Sequence, residues 1–219
     1  MSATLADRVR ALGAASLFDA SETRITAGPG IRPIWTPVFA AGPAYTIATE
    51  PADNLALHRA IGEAPPRSIV VAATGRSVEI AVYGDLLSQV AVGRGIAGLV
   101  TDGAVRDVDR IRSLGFAVFA AAITVRSPAK RAWGTVGGTV TIGEATIAAG
   151  DWVVGDGDGV IAIRAAEVED AVARAESIRA REAELVRRAI AGEATVDQLG
   201  LRPEESGTTR PLVRGNDRG

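Results

Sequence analysis

The 219-residue chain has no cysteine, one histidine (His58) and one lysine (Lys130). Without thiols there are no disulfides, no thiolate catalysis and no sulfur-ligated zinc. With a single imidazole no multi-histidine metal site can form, and a Ser-His-Asp triad would have to use His58. With a single ammonium, Lys130 is the one candidate for Schiff-base chemistry. Any metal must therefore be held mainly by oxygen, which favours Mg2+ or Mn2+. Aromatics are 4% of the residues, so Ala, Val, Ile and Leu must fill the core. A net charge of −2 offers no surplus of Lys and Arg to neutralise phosphates, so no nucleic acid partner is expected. No run approaches the roughly 18 apolar residues of a membrane span, and the first residues lack a signal peptide's uninterrupted apolar segment. The expectation is a cytoplasmic protein with no membrane association.

What is present fits one domain over residues 1–201 followed by a polar, Pro/Gly-punctuated tail over 202–219, expected to be flexible. Leu5, Val9 and Leu12 lie on one face of one or two short N-terminal helices. "VFAAGPAYTIAT" (38–49) reads as a strand interrupted at Gly42-Pro43, "DNLALHRAIGEA" as a short helix that Asp53 can cap, and "RSIVVAA" as a buried strand. "GDLLSQVAVGRG" is a helix beginning near Asp85, "IAGLVT" a buried strand, "RDVDRIRSLG" a helix closed by Gly115, and "FAVFAAA" another buried strand. That alternation marks βαβ units with parallel pairing. From Gly134 short strands separated by Gly turns follow, then one long helix over 165–191 with Asp170–Arg174 and Glu184–Arg188 spaced as exposed pairs.

Asp85 and Asp107 each open a helix after a strand of the βαβ series, so parallel strands bring both to one edge of the sheet, where α/β folds bind ligands. The helix starting at Asp85 offers free amides around Leu86, Leu87 and Ser88, a seat for a carboxylate or phosphate. Arg106 adds a planar cation able to grip a carboxylate. On local pattern alone, helix capping is the commoner role of either Asp. Asp102 reads as part of an Asp-Gly turn, and Asp109 and Arg110 as helix-surface charges. His58 reads as a half-buried helix residue and Lys130 as solvated or substrate-facing. "GDGDG" (155–159) places Asp156, Asp158 and Glu167 at calcium-loop positions, but Ile161 stands where that loop requires Gly, so a β-turn is expected. No P-loop and no dinucleotide-binding Gly motif is present.

The stretch "GDLLSQVAVGRGIAGLVTDGAVRDVDRIRSLGFAVFA" (84–120) resembles the family of 4-hydroxy-4-methyl-2-oxoglutarate aldolases, which also contains the regulator of ribonuclease E activity A. The resemblance extends to "DNLALHRAI", "AGDWVVGDGDGV" and "REAELVRRAIAGEATVDQLGL", covering most of residues 30–201. Its specific part is Gly84-Asp85-Leu86-Leu87 followed by Thr101-Asp102-Gly103-Ala104-Val105-Arg106-Asp107. The chain departs from the family at Ala72 and Ala73, where an acidic residue commonly ends the strand.

The resemblance implies an α/β fold, a layered ββα sandwich similar to phosphohistidine swivelling domains. It also implies a homotrimer or hexamer with sites at subunit interfaces. The implied activity is that of a class II pyruvate aldolase that also decarboxylates oxaloacetate, acting on a small 2-oxo acid. By the same resemblance Asp107 anchors Mg2+ or Mn2+, Asp85 reaches it through water, and Arg106 binds the pyruvyl part and stabilises the enolate. Gly84, Leu86, Leu87 and Ser88 form the carboxylate seat. The proton acceptor remains unnamed, with Asp156 or Asp158 of a neighbouring subunit as candidates. The family's regulator branch implies the alternative of a non-enzymatic protein that binds a ribonuclease or another partner.

Overall fold

The computed structural model describes residues 4–202, so the expected tail lies outside the described residues except for its first position. Two compact units are present, one up to Glu176 and one from Ser177 onward.

In chain order the first unit opens with α1 (Leu5–Ala20), whose capping box joins Thr4 and Asp7. The helix is broken at Gly13, where φ is +78°, so the one-or-two-helix expectation resolves as two segments across a kink. Then come β1 (Ile25–Thr26), β2 (Arg32–Pro33), β3 (Ala40–Ala48), α2 (Leu55–Glu63) and β4 (Ile69–Ala73). They are followed by β5 (Ala81–Tyr83), α3 (Asp85–Gly93), β6 (Gly98–Thr101), β7 (Ala104–Val105), α4 (Val108–Ser113), β8 (Ala117–Ala120) and β9 (Ala122–Ile123). Short strands complete the sequence: β10 (Thr135–Val136), β11 (Thr139–Ile142), β12 (Ala145–Ala148), β13 (Trp152–Asp156) and β14 (Gly159–Ile163). The long helix α5 (Val168–Ile190) begins in the first unit.

The main sheet has the order β1-β14-β13-β3-β4-β6-β8-β2, with β10 on β3. Its centre, β3-β4-β6-β8, is parallel, its successive strands joined through α2, α3 and α4. Both faces of these strands are buried, and alternate residues divide between two cores. Val70, Leu99 and Val118 face Leu57, Ile61, Ala91 and Ile111 of the helices. Val71, Val100 and Phe119 face Ile142 and Ile147 of the β11–β12 hairpin. The result is the expected layered α/β fold: helices, sheet, hairpin.

Two sequence expectations change in this first unit. β3 runs unbroken through Gly42-Pro43, pairing with β13 there. Gly42 is needed for space, since a Cβ would lie 2.2 Å from the Arg67 carbonyl oxygen. On α5, Arg174 bonds the Ala20 carbonyl, Glu22 and Glu167, so the expected Asp170–Arg174 pair does not form.

The second unit contains the remainder of α5 and α6 (Thr195–Gln198). Here Glu184 pairs with Arg187 and Arg188 with Glu193, replacing the expected Glu184–Arg188 pair. No described helix is long and apolar enough to cross a membrane.

Candidate active site

β5, β7 and β9 form a separate three-stranded parallel sheet, and this small sheet builds the site. α3 leaves the end of β5 and α4 the end of β7, and the register pairs Tyr83 with Val105. Parallel neighbours therefore bring Asp85 and Asp107 together as the pattern required, but at the edge of this second sheet, not of the main one. The small sheet forms because the main strands break at Asp102-Gly103 and Ala121 and resume as β7 and β9.

Neither Asp caps its own helix. Asp107 occupies the N-cap position of α4 with left-handed backbone angles (φ 59°, ψ 36°) and makes no capping hydrogen bond to α4. Its carboxylate turns across to the neighbouring helix, where Oδ2 accepts the Asp85 backbone N–H at 3.2 Å and lies 3.4 Å from Arg106 Nε. Asp85 is the first residue of α3, behind Gly84. Its Oδ2 accepts from Gln89 Nε2 at 3.0 Å and from Arg110 Nη1 at 3.3 Å. Arg110 is the helix-surface charge expected, its side chain 77% exposed, and it also lines the cleft. Arg106 is fixed at both ends: its backbone N–H donates to the Tyr83 carbonyl at 3.0 Å, and Nη1 donates to Ser127 Oγ at 2.7 Å.

The amide seat is narrower than expected. The Asp85 N–H serves Asp107, and the Ser88 N–H already closes the first helical turn onto the Gly84 carbonyl at 3.2 Å. This leaves Leu86 and Leu87, whose amides make no hydrogen bond among the described residues, at the positive end of the nine-residue α3.

Asp85, Leu86, Leu87, Arg106, Asp107 and Arg110 line one cleft of about 510 Å³. Its far wall comes from the 126–130 segment, which contributes Ser127, Pro128 and Lys130, and from Asn54 and His58 at the start of α2. Asp53 staples these two walls: Oδ1 accepts the Leu55 N–H at 2.9 Å and Oδ2 the Arg131 N–H at 2.7 Å. Burial alone would raise the Asp53 pKa. The amides of Leu55, Arg131 and Ala132 and the Arg131 charge outweigh that and hold it below its ordinary value. Burial lowers the His58 imidazole, and the Lys130 charge lowers it further. Burial raises the Tyr83 phenol well above its ordinary range, only slightly offset by the Ser88 side chain, so it stays protonated. Three cations, Arg106, Arg110 and Lys130, line the cleft with two carboxylates, a balance that favours an anionic ligand.

Asp102 does more than turn the chain. It is buried, with Oδ1 accepting from Thr74 N–H and Oγ1 at 2.7 and 2.9 Å and Oδ2 from the Arg76 N–H at 2.9 Å. Asp156 accepts the N–H groups of Ala14 and Asp158, and neither Asp156 nor Asp158 lines this cleft within the chain. Asn54, Tyr83, Arg110 and Ser127 were not legible as cleft residues. The nearest signal was the lone Lys130 beside them.

The donor set fits one kind of metal. Among the described residues no group of three or more His, Asp or Glu is placed to hold an ion. One or two carboxylates with the remaining positions left to water and ligand is the usual arrangement for Mg2+. Asp107 suits this, because only its Oδ2 is engaged by the protein.

Fold and cleft together define a layered α/β protein whose cleft gathers arginines, open backbone amides and two carboxylates at a strand-to-helix edge. The chain belongs to the RraA-like family, described as Aldolase/RraA, whose model matches residues 2–162. A relative from Halalkalibacterium halodurans, provisionally named 4-hydroxy-4-methyl-2-oxoglutarate aldolase, is 34% identical over 64% of this chain and 66% of its own length. Protein DlpA of Legionella pneumophila is 33% identical over 77% of this chain, which spans only 28% of that protein. Among solved structures, an uncharacterized protein from Pseudomonas syringae superposes with a TM-score of 0.81 at 25% identity, over 92% of this chain and 95% of that one. Streptomyces coelicolor RraAS2, described as an unusual member of the RNase ES inhibitor RraA family, superposes at 0.75 and 24% identity, over 84% and 97%.

Proposed function

We propose that the protein is a divalent-metal-dependent carbon–carbon lyase acting on a small 2-oxo acid. The reaction is retro-aldol cleavage of the 4-hydroxy-4-methyl-2-oxoglutarate type, oxaloacetate decarboxylation, or both. The observation that carries this reading is the convergence in one cleft of Arg106, the unbonded Leu86 and Leu87 amides and the Asp85–Asp107 pair.

Breaking a C–C bond beside a ketone leaves an electron pair that must rest on the ketone oxygen as an enolate. Donors held rigidly before the reaction stabilise that charge without reorganising. The Leu86 and Leu87 amides receive the substrate carboxylate at the positive end of α3. Arg106, braced by Ser127 and by the Tyr83 carbonyl, presents its guanidinium to the oxygen on which charge collects. Arg110 and Gln89 fix Asp85, and the Asp85 amide fixes Asp107. Mg2+ or Mn2+ would be held by Asp107 and, through water, by Asp85, and when bound supplies Lewis-acid stabilisation of the developing charge. No imine is needed, which suits a chain with one lysine.

The test is pyruvate release from oxaloacetate and from 4-hydroxy-4-methyl-2-oxoglutarate, with Mg2+ and with chelator. Turnover is expected with Mg2+ and lost with chelator, and Arg106→Ala should lower kcat/KM by about 100- to 1000-fold, the range for removing one charge-stabilising donor. A folded protein inert on both substrates overturns the reading and leaves the partner-binding alternative, in which capture of a ribonuclease would survive Arg106→Ala.

A further inference from the structure

We infer that His58 takes the proton from the leaving hydroxyl during aldol cleavage, a role that rests on the lyase reading above. Cleaving a 4-hydroxy-2-oxo acid requires a group that accepts the hydroxyl proton as the C–C bond breaks, and the cleft holds few that can. Arg106, Arg110 and Lys130 are cations with no lone pair to offer. Tyr83 is buried and stays protonated. Asp85 Oδ2 is tied to Gln89 and Arg110, and Asp107, whose Oδ2 accepts the Asp85 amide beside Arg106, keeps its other oxygen for the metal on the reading above. His58 remains: it lines the cleft, is half-buried, and no hydrogen bond among the described residues engages either ring nitrogen.

The surroundings favour the neutral imidazole. Lys130, from the opposing segment, is the charge that acts on it, and burial works in the same direction. On its own helix, Arg59 turns away, pairing with Glu63 and lying over the Trp133 ring. Asp53 is committed to backbone amides of Leu55 and Arg131. Asp85, Asp107, Arg106 and Arg110 complete the charged groups of the cleft. An imidazole neutral at neutral pH is matched to general-base work there.

In the step itself, the C4 hydroxyl gives its proton to the imidazole and the O–H electron pair closes the new carbonyl at C4. The C3–C4 bond breaks, and its pair passes through C2 onto the ketone oxygen to give pyruvate enolate. The imidazolium then returns the proton to C3. Decarboxylation of oxaloacetate breaks its bond from a carboxylate and has no hydroxyl proton to remove. The two substrates therefore separate this role from that of any group acting on the pyruvyl part they share.

The experiment is His58→Gln in the full chain, with kcat and KM measured on both substrates at saturating Mg2+. The expected result is a fall of about 100-fold or more in aldol kcat, as for loss of a general base, with oxaloacetate decarboxylation near the wild-type rate. The wild-type aldol profile should lose activity as pH falls through a value below about 6.5, the ordinary imidazole value, and the variant should lack that limb. Equal losses on both substrates, or none on either, overturn the role while leaving the lyase reading intact. A wild-type protein inert on both removes the reading, and the role with it.

Discussion

Gly84 illustrates how little room separates the working groups. Its backbone is extended (φ −168°), a conformation open to any residue, so conformational freedom does not explain a glycine there. Space does: a Cβ would lie 2.7 Å from Asp107 Oδ2 and 3.1 Å from Arg106 Cγ. Gly84→Ala must push the carboxylate, the arginine or both out of place, and misplacement on the scale of 1 Å can cost about 100-fold in rate. Steady-state assays of Gly84→Ala on oxaloacetate are expected to show such a loss while the thermal midpoint stays near wild type. An unchanged rate would show that the Arg106–Asp107 geometry is not what the reaction uses. The Gly84-Asp85 motif was visible in the sequence, but its reason was not, because the atoms it must clear sit more than twenty residues away. The contact of Arg110 with Asp85 was hidden for the same cause. Its place on α4 is legible from periodicity, whereas its partner Asp85 belongs to another helix.

Among the elements, those with a strong period were legible. α2, α3 and α4 and the strands β4, β6 and β8 fall where apolar spacing put them, since each buries a stripe or two faces in the layered core. The second sheet was not legible, because strands of two and three residues leave no pattern to read. Nor was the stapling of the 126–131 segment onto α2, which depends on Asp53 reaching Arg131 across 78 positions. That staple has a measurable pH signature. The folded Asp53 pKa is depressed, so its stabilisation is complete above the ordinary carboxylate value and is lost as pH falls through the lower folded value. Denaturant unfolding of wild type and Asp53→Asn should therefore show wild type more stable at pH 6. The gap should narrow as the pH is taken below about 3.9, the ordinary Asp value, where the protonated carboxyl comes to resemble the amide. A gap independent of pH would mean that the charge plays no part in holding the wall.

For the whole molecule, the rim of the cleft raises the question of what covers it. Leu86 is 65% exposed, Ile123 59% and Val125 88%, and all three lie in or beside the residues that line the site and its neighbouring groove. β9, which carries Ile123, is an edge of the three-stranded sheet, with open backbone groups and apolar side chains together. A β-branched side chain left that open beside a charged cleft is costly in isolation, and edges of this kind are normally covered or charged. A trimer or hexamer whose boundary runs along this rim would bury the apolar groups and exclude water from the cleft, strengthening the Arg106 interactions by lowering the local dielectric. Light scattering of the wild-type protein is then expected to give an integral multiple of the 22.5 kDa chain mass. Val125→Asp should shift the population toward smaller species, and activity should fall in step with the assembly although Val125 itself makes no contact needed for chemistry. A wild-type monomer, or a dissociated variant with full activity, would show that one chain forms the whole site.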